Sequence, residues 1–165
     1  MDDFFAHPVV CNAGPVIALA RAGMGRLLHE VFPRVLVPET VVAELQEKEA
    51  GDADEIARVL AVAEIVSLPA PPEALLLHEL DAGEAAVIHS AMTMGTGRVL
   101  LDDRKARRIA AAAYNLEVRG TGALLIAAKA RGLITQVRPI LEAMRGGGYF
   151  IGAELMAECL RRAGE

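Results

Sequence analysis

Short apolar runs alternate with longer amphipathic stretches along most of the chain. The short runs are rich in Val, Leu and Ile and predict β-strands. These strands cover Pro8–Cys11, Arg34–Val37, Glu64–Leu68, Arg98–Leu101 and Glu117–Arg119. The stretches between them have helical spacing of apolar residues and predict helices. These helices cover Pro15–Phe32 (broken near Gly23–Gly25), Pro38–Glu49, Ala53–Val62, Gly83–Met94, Arg104–Tyr114 and Gly122–Arg131. This alternation is typical of an α/β fold with a largely parallel sheet and helices on both faces.

The C-terminal part departs from this alternation. Two further helices are predicted there, at Val137–Arg145 and Ala153–Ala163. Gly146–Gly148 is expected to join the α/β body to a hairpin-and-helix tail, and the proline-rich segment Leu68–Pro72 predicts a turn or linker inside the domain. We therefore expect residues 1–165 to form one domain, with a body over about 1–135 and a tail over 136–165 packed on it.

Composition narrows the class of protein. The chain is 53% hydrophobic with no Trp, which predicts an aliphatic core, and no run reaches the roughly 18 apolar residues of a membrane span. The N-terminus lacks the features of a signal peptide, and Cys11 and Cys159 have no metal-site spacing, so we expect a cytoplasmic protein with reduced thiols. A net charge of −5 argues against a broad nucleic-acid-coating surface but leaves room for a local basic rim.

Polar residues directly follow two of the predicted strands. Asn12 comes after the first strand, and Asp102 and Asp103 come after the fourth. Open α/β sheets place their ligands at the carboxyl ends of strands. The structural alternative is that these residues cap helices. Asn12 would cap the helix after the first strand, and Asp102 or Asp103 would cap the helix that begins near Arg104. The pattern leaves both interpretations open.

Two glutamates lie on inward-leaning positions of predicted helices. Glu84 shares an apolar stripe with Val87 and Ile88, which predicts a partly buried carboxylate that a cation would stabilise. The spacing Asp81-x-x-Glu84 is equally a capping-box pattern. Glu44 lies at the edge of an apolar face, where its stem can pack while its head stays in water.

Four oxygen-bearing residues form a pattern only when they are considered together. They are Asn12, Glu44, Glu84 and Asp102. Strand ends and inward helix positions of a parallel sheet can converge on one crevice. Several oxygen ligands without a His or Cys cluster favour a hard divalent cation, Mg²⁺ or Mn²⁺. Such a cation suits phosphodiester hydrolysis, because it activates water and neutralises phosphate charge.

Four segments then carry a family resemblance. They begin at Val9, Leu80, Arg98 and Val137 and read VVCNAGPVIALARAGMGRLLHEVFPRVLVPETVVAEL, LDAGEAAVIHSA, RVLLDDRKARRIAAAAYNLEVRGTGALLIAAKARGLI and VRPILEAMRGGGYFIGAELMAECLRRAGE. Their content and order resemble the PIN-domain family, in a little-characterised branch close to the VapC-like toxins. The likeness covers nearly the whole chain. It implies a three-layer α/β/α sandwich and an endoribonuclease that uses Mg²⁺ or Mn²⁺.

The resemblance assigns roles by position. It implies an acidic metal site of Asn12, Glu44, Glu84 and Asp102, with Asp103 beside it. Thr121 matches a small polar residue that often follows the fifth strand and positions a water or ligand. PIN nucleases usually carry Asp after the first strand, so Asn12 is a departure. Losing that charge should weaken metal affinity by about 1–3 kcal/mol, by analogy with charge-assisted contacts.

Basic residues follow the Asp102–Asp103 pair. Arg104, Lys105, Arg107 and Arg108 have helical spacing, and near a scissile phosphate they would bind the RNA backbone. A solvated basic face, or pairing with Asp102 and Asp103, is the alternative.

The resemblance also implies partners. A VapC-like toxin would bind an RNA substrate and a small antitoxin protein, and PIN toxins often form homodimers. The apolar helical region Pro15–Phe32 is compatible with a homodimer, although its periodicity does not separate interface from core. A rival function follows from Asn12: a catalytically weak PIN-fold module that binds RNA or a protein partner without cutting.

Overall fold

A five-stranded parallel sheet lies at the centre of the computed structural model, which describes residues 3–47 and 52–165. The strands lie in the order β3–β2–β1–β4–β5. Their bounds are β1 Val9–Cys11, β2 Val35–Pro38, β3 Glu64–Val66, β4 Arg98–Leu100 and β5 Glu117–Arg119. Every pair is parallel, with Val10 opposite Leu36 on one side and Val99 on the other. The predicted parallel sheet is confirmed, with strand bounds within two residues of the prediction.

Helices cover both sides of the sheet, as the α/β/α prediction requires. They are α1 Ala13–Arg21, α2 Leu27–Val31, α3 Glu39–Glu47, α4 Ala53–Val62, α5 Ala74–Glu79, α6 Ala82–Thr93, α7 Arg104–Tyr114, α8 Thr121–Ala130, α9 Arg138–Gly146 and α10 Ala153–Ala163, after a short 3₁₀ helix at Asp3–Ala6. The predicted helix end at Glu49 lies outside the described residues.

The observed elements differ from the prediction in two places. α5 was not predicted, because its six residues are too few to show a clear helical period. The expected hairpin before α10 is wrong: α9 ends at Gly146, residues 147–152 form a loop, and α10 follows without a strand.

The central strands are buried on both faces, which explains their continuous apolar sequence. Val9, Val10, Cys11 and Val37 have no exposed surface. Strands covered by helices on both sides have no polar face, so they lack the alternation of a half-exposed sheet.

The strand order reverses between β1 and β4, where the chain leaves one half of the sheet for the other. The backbone N–H of Asn12 donates to the carbonyl of Leu100 (3.1 Å), which places the residues after these strands side by side. In open α/β sheets, ligands bind at the carboxyl ends of strands at such a reversal. Asn12 and Asp102 therefore flank the crevice where this fold places its chemistry.

The apolar faces of α1 and α2 pack into the core of the protein itself. Val16, Leu19, Leu27 and Leu28 are fully buried in the core. Their apolar character therefore needs no second copy of the chain, and the homodimer stays a prediction. In the part of the chain that the structure describes, no helix is both long and apolar enough to cross a membrane.

The C-terminal helices are tied to the body by one carboxylate. Glu165 accepts a hydrogen bond from Lys129 Nζ (2.8 Å) on α8. It also accepts from the backbone N–H groups of Val137 (2.6 Å) and Arg138 (2.9 Å), so it caps the start of α9. The bond from Lys129, followed by that from Val137, lowers the pKa of Glu165 to about 2.

We expect Glu165→Gln to be less stable than the wild type near neutral pH. The folded-state pKa lies below the ordinary 4.5, so the stabilisation is present above about pH 4.5 and is lost as pH falls towards 2. Thermal unfolding followed by circular dichroism should show a lower midpoint than that of the wild type near neutral pH, and the difference should shrink as pH falls over this range.

Glu142→Gln is the matched control, because Glu142 is an exposed glutamate on α9. Its thermal midpoint should follow that of the wild type at every pH. A Glu165→Gln difference that stayed constant from neutral pH to pH 2 would contradict the ionic origin of this stabilisation.

Candidate functional site

Asn12 stands at the N-cap position of α1 but does not act as a cap. Its backbone is extended, and its side chain makes no capping hydrogen bond. The residue is 8% exposed, and its Oδ1 atom is buried with no hydrogen-bond donor among the residues that the structure describes. An unsatisfied buried acceptor is costly and needs an explanation. The capping alternative is therefore excluded, and Asn12 offers a neutral oxygen at the end of β1.

Glu44 comes to the same place from α3, across a glycine of α6. A Cβ atom built on Gly83 would lie 2.5 Å from Glu44 Oε2 and 3.3 Å from Asn12 Oδ1. Both oxygens therefore lie against the backbone of Gly83, and a side chain at this position would push them away. Glu44 is half-buried, as its position at the edge of the apolar face predicts.

Glu84 fulfils both interpretations that its sequence context left open. Asp81 Oδ1 accepts from the Glu84 N–H (2.7 Å), and Glu84 Oε2 accepts from the Asp81 N–H (3.3 Å), which completes a capping box for α6. Glu84 is nevertheless only 9% exposed. Burial raises the pKa of Glu84 to about 7, and the charges of Asp81, Asp103 and Glu44 add to this rise. A concentration of negative charge of this kind favours a cation.

The two aspartates after β4 have different partners. Asp103 caps α7 by accepting from the N–H of Ala106 (2.8 Å). Asp102 instead accepts from the Thr121 N–H at Oδ1 (2.7 Å) and from the Thr121 hydroxyl at Oδ2 (2.6 Å). Thr121 is 4% exposed at the start of α8, so it holds Asp102 from a rigid position.

Tyr149 is a site residue that the sequence did not reveal. Its hydroxyl donates to Asp102 Oδ2 (2.5 Å) from the loop between α9 and α10. Burial, followed by the charge of Asp102, raises the pKa of Tyr149, so the hydroxyl keeps its proton and acts as a donor. The residue follows three glycines, Gly146–Gly148, and no periodic pattern connects it with β4.

The basic residues of α7 lie around this site unequally. Arg104, Lys105 and Arg108 are exposed, and Lys105 forms an ion pair with Glu79 of α5 (2.9 Å). Arg107 is half-buried, and its Nη1 and Asp102 Oδ1 both lie where a Cβ on Gly120 would be. Among the described cations of α7, Arg107 is therefore the one that lies close to Asp102.

The residues fit a hard divalent cation in their chemistry. Buried or half-buried oxygen atoms come from Asn12, Glu44, Glu84 and Asp102, and oxygen is the donor that Mg²⁺ and Mn²⁺ prefer. The orphaned oxygen of Asn12 is the atom that a cation would satisfy. Among residues 3–47 and 52–165, no three His, Cys, Asp or Glu side chains are arranged to hold a metal ion together. A loaded site would require these side chains to close in.

Comparison with known proteins shows the family of the chain. The chain matches a family model described as a PIN domain over residues 8–165. The matched range includes every strand of the sheet and every candidate residue from Asn12 to Tyr149. A search among curated proteins finds no match.

Proposed function

Because the chain belongs to the PIN-domain family, whose members are generally nucleases, we propose that it is an endoribonuclease that uses Mg²⁺ or Mn²⁺. The observation that carries this proposal is the buried Oδ1 of Asn12, which has no donor among the described residues and, like Oε2 of Glu44, lies against Gly83. A buried acceptor without a partner is costly, and a cation bound there would satisfy it.

Asn12, Glu44, Glu84 and Asp102 would hold the cation, with Asp103 beside them. When bound, the cation would activate water and neutralise charge on the scissile phosphate. The N–H and hydroxyl of Thr121 fix the orientation of the Asp102 carboxylate.

The α7 cations would bind the RNA backbone. Arg107 is the nearest to the reacting phosphate in this proposal, because it lies against Gly120 with Asp102. Arg104 and Arg108 are exposed and would contact phosphates further along the strand, as would Lys105 after leaving its ion pair with Glu79. Contacts of this kind position the RNA without reading its sequence.

Wider features of the prediction remain proposals. We propose that residues 1–165 form one PIN-like domain. By its resemblance to VapC-like toxins, the protein would act as a toxin with a small antitoxin as partner, and as a homodimer. The second candidate function, a PIN-fold module that binds RNA or a protein without cutting, is favoured by the missing charge at Asn12.

Cleavage of a labelled RNA panel with Mn²⁺, with Mg²⁺ and with EDTA tests the proposal. We expect cutting with either cation and none with EDTA. RNA binding without cutting under all three conditions would contradict the nuclease and favour the binding module.

We expect Asn12→Asp to bind Mn²⁺ about tenfold more tightly and to cut RNA faster. The substitution keeps the orphaned oxygen and adds a charge in a desolvated position, which is worth about 1–3 kcal/mol. Calorimetric titration with Mn²⁺ and cleavage rates measure the two effects.

The chain's other asparagine provides the matched control. Asn115 is exposed at the C-cap of α7 with a positive φ of 52°, a conformation that Asp also tolerates. Asn115→Asp adds the same charge outside the site and should leave both quantities unchanged. Equal effects of the two substitutions would show that net charge, rather than the site, is responsible.

A further inference from the structure

The carboxylate of Asp102 is almost fully occupied by the protein's own donors. A carboxylate has about four lone-pair positions, two on each oxygen. Oδ1 accepts from the Thr121 N–H, and Oδ2 accepts from both the Thr121 and the Tyr149 hydroxyls. Oδ2 therefore has no position left for a metal ion unless one of the two hydroxyls leaves it.

The bonds to Asp102 come from elements other than those that hold the remaining candidate ligands. Thr121 lies at the start of α8 and Tyr149 in the loop between α9 and α10, whereas oxygens of Asn12 and Glu44 lie against Gly83 of α6. In the described part of the chain, no three His, Cys, Asp or Glu side chains are arranged to hold a metal ion together. Asp102 is thus held by a set of contacts of its own.

Of the two hydroxyl donors, Tyr149 is the one that is placed to leave. Thr121 is buried in the first turn of α8 and contacts Asp102 through two atoms. Tyr149 contacts it through one atom, from a loop that begins with Gly147 and Gly148. Gly148 has a positive φ of 86°, which glycine adopts without strain, and the Tyr149 N–H donates to the Met144 carbonyl (3.0 Å).

Tyr149 also reaches Asp102 over the start of α1. A Cβ built on Gly14 would lie 3.5 Å from the Tyr149 hydroxyl and 3.9 Å from Asp102 Oδ2. The Tyr149 hydroxyl and Asp102 Oδ2 therefore both lie against Gly14, in the first turn of α1 and two residues after Asn12.

We propose that Tyr149 is a positioning residue that lowers the metal affinity of the site by occupying a position on Asp102 Oδ2 that a cation would otherwise take. The inference rests on the proposed nuclease function and names the group that controls its metal loading. The Tyr149 hydroxyl occupies one position on Asp102 Oδ2. A cation that bound at this oxygen would require the tyrosine hydroxyl to leave it.

Tyrosine fluorescence can follow this exchange directly. The chain has no Trp and two tyrosines, Tyr114 and Tyr149, so Tyr114→Phe leaves Tyr149 as the single emitter. A carboxylate that accepts a phenol hydrogen bond quenches the emission, so we expect fluorescence to rise as Mg²⁺ is added and to saturate. Because this variant keeps Tyr149, the measurement does not depend on the folding of a Tyr149 variant.

Metal affinity supplies the second readout. Calorimetric titration with Mn²⁺ should show about tenfold tighter binding by Tyr149→Phe than by the wild type, because the cation no longer displaces a charge-assisted hydrogen bond. Tyr114→Phe is the matched control: it removes a hydroxyl that donates to Glu73 (3.3 Å) at the surface, and its Mn²⁺ affinity should equal that of the wild type. Circular dichroism establishes that both variants are folded.

The outcomes separate this inference from the proposed function. Unchanged Tyr149 fluorescence at saturating Mg²⁺, or equal Mn²⁺ affinities for the wild type and Tyr149→Phe, would overturn the role of Tyr149. Metal-dependent RNA cleavage would then still support the nuclease. If neither protein binds Mn²⁺ and neither cuts RNA, both proposals are wrong.

Discussion

Replacing Asp102 by Ala is expected to lower metal-dependent RNA cleavage by more than about a hundredfold. Residues that only support metal ligands typically cost 10–100-fold when they are lost, and a ligand should cost more. Asp102 follows the central strand β4 and is held by Thr121 in the crevice at the strand-order reversal. Single-turnover cleavage with Mn²⁺ and calorimetric titration with Mn²⁺ measure the loss.

The control for Asp102→Ala must separate a lost ligand from a lost charge or a damaged fold. Asp54→Ala removes an exposed aspartate from the first turn of α4 and should cut RNA at the wild-type rate. Asp102→Ala leaves the Thr121 and Tyr149 donors without their acceptor, so its thermal midpoint should be measured alongside. Wild-type cleavage by a folded Asp102→Ala variant would remove Asp102 from the site.

Replacing Leu100 by Ala is expected to produce the largest loss of stability among the predictions made here. Leu100 has no exposed surface and lies in β4, between β1 and β5. Truncating a buried leucine costs about 2–5 kcal/mol, because the lost transfer free energy is joined by the cost of a cavity. For a domain of this size, the thermal midpoint should fall by roughly 4–20 °C.

Leu75→Ala is the matched control, because Leu75 is 65% exposed on α5. Its free energy of unfolding should change by no more than about 0.5 kcal/mol, as is usual for surface positions. Urea unfolding at equilibrium compares the two variants. Equal losses would mean that Leu100 is not part of a tightly packed core.

The sheet could be predicted from the sequence because its strands carry a strong local signal. Each central strand is a short apolar run, and the segments on either side of it have the spacing that predicts helices. The helices Ala53–Val62, Arg104–Tyr114 and Ala153–Ala163 begin and end where the pattern predicts. α5 and the loop over residues 147–152 were missed because a short helix and an irregular loop lack periodicity.

The sequence predicted the residue types of the candidate site but not their arrangement in space. Capping and ligand-holding use the same residues, so the sequence left the roles of Asn12, Asp102 and Asp103 open. Tertiary contacts decided them: the Asp103 side chain accepts from Ala106, the Asp102 side chain accepts from Thr121, and the Asn12 side chain caps nothing. The chain carries no local signal that shows which residues from distant segments contact the site.

The sequence by itself determined the strand and helix pattern, the parallel α/β class and the choice of oxygen-bearing residues, because each depends on local composition and spacing. Only the tertiary structure decided that β1 and β4 are neighbours at the reversal of strand order and that oxygens of Glu44 and Asn12 both lie against Gly83. It also decided that Tyr149 closes on Asp102, 47 positions earlier in the chain. Such contacts arise when distant segments pack together, and no pattern within either segment specifies them.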